Sequence, residues 1–101
     1  MPLKCGGVGD TKPADATVQE LCDQVKAEVE QKNGRTFGTF VAVSYKTQTV
    51  NGTNYFVKVQ IDGDEYCHLR IHKAFPHAQD KVTLSTTQLG KTKEEEIAYI
   101  N

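Results

Sequence analysis

Residues 40–46 read Phe40-Val41-Ala42-Val43-Ser44-Tyr45-Lys46, and residues 55–61 read Tyr55-Phe56-Val57-Lys58-Val59-Gln60-Ile61. Between them runs Gln48-Thr49-Val50-Asn51-Gly52. The first run has strand composition. The second alternates apolar and polar, putting Tyr55, Val57, Val59 and Ile61 on one face. A short connection ending in Asn-Gly joins such runs as a hairpin, because both residues accept the positive φ of a tight turn. Residues 40–61 therefore read as two antiparallel strands with an exposed tip at 48–52.

Outward from this hairpin the remaining elements follow. Residues 11–16 read as a Pro- and Ala-containing linker. Thr17-Val18-Gln19-Glu20 has the form of a capping box, with Thr17 as the expected N-cap. Val18, Leu21, Cys22, Val25 and Val29 share one helical face, and Asn33-Gly34 supplies the stop. Strands are expected near 37–47, 54–61 and 65–74, with Asp62-Gly63-Asp64 as a turn. In the third of these, Cys67, Leu69 and Ile71 face inward. His68, Arg70 and His72 point the other way and are expected to be solvated. Val82-Thr83-Leu84 suggests only a short strand, and residues 94–100 are compatible with a helix or a strand. One helix and an antiparallel meander give an α+β domain spanning 1–101. Its expected core is Val18, Leu21, Val25, Val29, Val43, Tyr45, Val57, Val59, Leu69 and Ile71, with Cys22 and Cys67 beside them as small buried hydrophobes.

A chain of 101 residues can bury one core without staples. Its 12 basic and 13 acidic residues are interspersed, with net charge −1, so no basic stripe exists to displace phosphate counterions and no nucleic-acid partner is expected. Its apolar runs fall far short of the roughly 20 residues of a membrane span, so no membrane partner is expected either. No apolar signal-peptide core follows Met1. The three cysteines, Cys5, Cys22 and Cys67, lack metal-type spacing. His68 and His72, four apart on a strand, would sit about 13 Å from each other, too far to share a metal. No P-loop, Gly-x-Ser-x-Gly or dinucleotide fingerprint is present. Cys5 lies in a glycine-rich terminus that nothing in the sequence holds against a base. No enzyme activity, metal or cofactor is expected.

Several separated blocks point further. Gln48-Thr49-Val50-Asn51-Gly52 resembles the Gln-Val-Val-Ala-Gly loop of cystatins, the protein inhibitors of papain-like cysteine proteases. Gly52-Thr53-Asn54-Tyr55-Phe56-Val57-Lys58-Val59 resembles the stefin branch of that family. Cys5-Gly6, Ala42-Val43-Ser44-Tyr45-Lys46, His68-Leu69-Arg70, Phe75-Pro76-His77 and Tyr99 stand in the family's order. The resemblance implies the cystatin fold, a curved antiparallel sheet of four to five strands around one long helix, with a final strand near 97–100. It also implies reversible, competitive inhibition of papain-like proteases such as cathepsins by a three-part wedge. Its parts would be the N-terminal trunk with Cys5 and Gly6 (1–11 flexible), the first hairpin with Gln48, Thr49, Val50, Asn51 and Gly52, and a second hairpin with Phe75, Pro76 and His77. Thr49 and Asn51 stand where Val and Ala are usual, and Pro2-Leu3-Lys4 lengthens the trunk. The polar tip leaves a non-inhibitory cystatin-fold scaffold or assembly protein as the alternative. Secreted cystatins pair cysteines in their C-terminal half, where this chain has only Cys67. The sequon Asn51-Gly52-Thr53 would put a glycan on the binding tip. Both indicate a cytoplasmic protein, with the nucleus also open to it. The tight turn and the resemblance to stefins imply a monomer able to form a domain-swapped dimer, and Cys5 a linked one.

Overall fold

In the computed structural model, which describes residues 11–49, 52–73 and 82–97, one helix packs on a five-stranded antiparallel sheet. The helix α1 spans Ala16–Asn33 and buries Val18, Leu21, Cys22, Val25 and Val29, the stripe its apolar spacing predicts. Its N-cap is Asp15 rather than Thr17: the Asp15 carboxylate accepts from the Val18 N–H at 3.0 Å. Asp and Thr are both good caps, and the one whose backbone is extended takes the role. At the other end Gly34 adopts φ 63°, and the N–H groups of Gly34 and Arg35 close on Gln31 and Glu30. A glycine takes this left-handed position at no Cβ cost.

The strands are β1 (Lys12–Pro13), β2 (Val41–Thr49), β3 (Thr53–Ile61), β4 (Glu65–Lys73) and β5 (Val82–Lys91), hydrogen-bonded in that order. Three expectations change. Residues 12–13 are not linker: Lys12 pairs with Tyr45 and Pro13 with Ser44, and proline is tolerated because β1 is an edge. Residues 37–40 lie outside the strand, where Phe37 and Phe40 stack with centroids 5.7 Å apart and enter the core. Residues 82–91 form a ten-residue strand rather than a short one. Its threonines and serine suit a pleated edge, although this weakly alternating stretch, uncharged up to Lys91, gives little periodicity to read.

Inside, Val57, Val59, Ile61, Cys67, Leu69, Ile71 and Leu84 meet the helix stripe, with Tyr45 and Tyr55 packed at the margin. Val43 is only half-buried. The register slips between Ala42 and Ser44, so Val43 sits in a bulge and leaves the alternation that would have aimed it inward. Cys22 and Cys67 are buried free thiols, and burial pushes both up to about 12.

The opposite face of the sheet is not a solvated surface. Residues 92–97 are neither strand nor helix, and they fold back over it. Ile97 packs on Phe56, and the Lys58 ammonium donates to the carbonyls of Lys93 and Glu95 at 2.5 Å each. His68 is buried there with 2% exposure, against the expectation of a solvated face. Burial, reinforced by Lys58 and Lys91, lowers its pKa to about 4. Residues 98–100, where the final strand was expected, lie outside the described residues. At the far end of the sheet Arg35 forks onto Glu65 at 3.0 and 3.1 Å and reaches Asp62, whose carboxylate also accepts from the Gly38 and Thr39 N–H groups. These bonds tie the helix exit to the β3–β4 turn.

Candidate functional site

Four paired residues draw one line across the sheet. Thr49 of β2 faces Thr53 of β3, Thr53 faces Lys73 of β4, and Lys73 faces Val82 of β5. The β2–β3 connection and the β4–β5 connection therefore spring from the same row, at one end of the sheet. β1 lies antiparallel to β2, with Lys12 four residues short of that row at Tyr45. Three chain segments are thus anchored toward one end, opposite the Arg35–Asp62–Glu65 knot.

Of the expected binding residues, Gln48 and Thr49 close β2, with Gln48 opposite Asn54. Gly52 has φ 111°, the positive value that the Asn-Gly turn calls for, and is buried. Cys5, Gly6, Val50, Asn51, Phe75, Pro76 and His77 lie outside the described residues.

One row below the tip the side chains are linked. Asn54, 2% exposed, donates from Nδ2 to Gln48 Oε1 at 3.0 Å. Its Oδ1 lies 2.8 Å from His72 Nδ1. Because an amide oxygen only accepts, His72 must carry its proton on Nδ1 here. Gln48, Asn54 and His72 are consecutive cross-strand partners, so the sheet register alone brings them together. Residue type gives Asn54 no role and puts His72 on a solvated face, whereas here it is half-buried and bonded to Asn54. A two-residue Asn-Gly turn would set Asn54 opposite Thr49; because Thr49 pairs with Thr53, the register moves by one and Asn54 faces Gln48.

The comparisons with known proteins agree with this architecture. A family model for the cystatin domain matches residues 6–94. The chain belongs to the cystatin family. It is 41% identical over 97 residues to Cystatin-B of Sus scrofa and 42% identical to Cystatin-B of Pan troglodytes. It is 41% identical to Cystatin-B of Homo sapiens, and each alignment covers 96% of this chain and 99% of the relative. The matches place it beside the stefin-type cystatins. Cystatins inhibit cysteine proteases of the papain type and are not enzymes, so inhibition is the general function that membership carries.

Proposed function

We propose that this cystatin blocks the cleft of papain-like cysteine proteases, cathepsins among them, with a wedge of three segments. These are the trunk at Cys5 and Gly6, the first hairpin at Gln48, Thr49, Val50, Asn51 and Gly52, and the second hairpin at Phe75, Pro76 and His77. The observation that carries the reading is the single row Thr49, Thr53, Lys73 and Val82, from which both hairpins depart. β1 runs antiparallel to β2, so Lys12 is the end of β1 nearer to that row. A strand-anchored edge loses little loop entropy on docking, and a standard protease–inhibitor interface of roughly 1,600 Å² is within reach of three short segments. The wedge covers the catalytic cysteine without placing a scissile carbonyl over it, so inhibition is competitive and reversible.

The proposal extends to the chain's setting. A cytoplasmic protein, also able to enter the nucleus, keeps its thiols reduced and its tip sequon unglycosylated. With Cys22 and Cys67 buried, Cys5 is the thiol left for linking two chains. Deleting residues 1–5 tests the trunk. Dissociation from papain should accelerate while association changes little, because local contacts act mainly on the off-rate. An unchanged dissociation rate in biosensor kinetics removes the trunk from the wedge.

A further inference from the structure

We propose that Asn54 and His72 are positioning residues that fix the direction of the Gln48 amide at the base of the first hairpin, through a hydrogen-bond relay running across three strands. The inference rests on the reading that this hairpin enters the protease cleft. Its geometric basis is the row His72, Asn54, Gln48, in which every donor points the same way. His72 Nδ1–H donates to Asn54 Oδ1 at 2.8 Å, and Asn54 Nδ2 donates to Gln48 Oε1 at 3.0 Å. An amide without such a relay can flip, presenting oxygen or nitrogen with nearly the same shape. With Oε1 engaged, the Nε2 hydrogens are what Gln48 has to offer, and the partner they fit is a main-chain carbonyl of the cleft wall.

The burial pattern supports a positioning role. Asn54 is almost fully enclosed, where an amide is costly unless bonded at both ends, and an apolar residue there would pack without that requirement. Gln48 and His72 are only half-buried, so the relay runs from an accessible ring through an enclosed amide to a residue at the edge of the tip. A glutamine side chain held in one rotamer before docking also loses less freedom when the protease binds.

The role requires a donor at residue 72 and an acceptor–donor amide at residue 54. His72→Leu removes the donor and, at a half-buried position, should leave the fold intact. His72→Gln restores a donor of similar reach. Dissociation from papain should become about five- to tenfold faster in His72→Leu, the effect of one lost neutral hydrogen bond, and return to within about twofold of the parent in His72→Gln. The deciding measurement is the double variant. In a Gln48→Ala background, His72→Leu should no longer alter dissociation, because the residue through which it acts is gone. In the free protein, the Gln48 side-chain NH₂ pair should shift and sharpen in ¹⁵N spectra of His72→Leu as the amide is released. Equal losses from His72→Leu with and without Gln48 would overturn the relay. So would an unshifted Gln48 amide signal. Gly52→Val serves as the control on the underlying reading. If it weakens inhibition while His72→Leu does not, the relay fails and the hairpin stands; if Gly52→Val inhibits like the parent, the hairpin reading fails and the relay with it.

Discussion

At His68, burial separates the proton affinities of the folded and unfolded states. The folded ring takes up a proton only near pH 4, whereas an unfolded histidine does so near 6.5. Unfolding therefore binds a proton between these values, and stability must fall as the pH drops from about 6.5 toward 4. The loss at pH 5 is on the order of 1–2 kcal/mol, against a total for such a domain of about 5–15 kcal/mol. Urea unfolding of the parent and of His68→Gln between pH 7 and pH 5 checks this. The parent should lose stability over that interval and His68→Gln should lose much less; parallel curves would mean that His68 is not the titrating group. Asp62 and Glu95 are held below the usual carboxylate range, Asp62 chiefly by the Gly38 N–H and Glu95 chiefly by Lys91. They act below the unfolded carboxylate pKa, a more acidic window than that of His68.

The contrast between what the sequence made legible and what it did not is clearest at the level of elements. Helix α1 and the β2–β3–β4 meander were readable because each carries a strong local period: 3.6 residues in Val18, Leu21, Val25 and Val29, and two residues in Val57, Val59, Leu69 and Ile71. The tip was readable because Asn-Gly has few other uses. Ser, Thr and Gln dilute the alternation of β5, so its length was not. The cover on the outer sheet face was hidden for another reason. His68 and Lys58 look like solvent-facing residues on their own strands, and it is a distant segment, 92–97, that covers this face. Phe56, an aromatic on the polar face of β3, was the one hint. Bulges also escape a strict period, which is why alternation alone puts Val43 in the core. Lys58 now becomes the testable element of that cover. Lys58→Met keeps the aliphatic stem but leaves the Lys93 and Glu95 carbonyls without their donor. It should cost about 1–3 kcal/mol and speed amide exchange in residues 92–97 above all. Unaltered exchange there would show that Ile97 on Phe56, with the Lys46–Glu96 and Lys91–Glu95 pairs, holds the segment without Lys58.

For the whole molecule, the same hairpin that forms the proposed edge is also where two chains could exchange. Thr49 pairs with Thr53, Gly52 between them has φ 111°, and β2 and β3 are nine residues each. If the turn opens, β2 and β3 become one continuous strand, and exchange between two copies restores the sheet contacts at low cost. Gentle heating in reductant should therefore yield a non-covalent dimer that has lost the first hairpin and no longer inhibits papain. A heated dimer that inhibits fully per chain would place the hinge elsewhere. The central claim, that the monomer is an edge-on competitive inhibitor, is tested most directly by titrating active papain with pure monomer while a fluorogenic peptide reports turnover. The account predicts that activity falls linearly to zero at one chain per active site, returns on dilution or substrate competition, and leaves the inhibitor uncleaved. Full papain activity in the presence of excess monomer would contradict it.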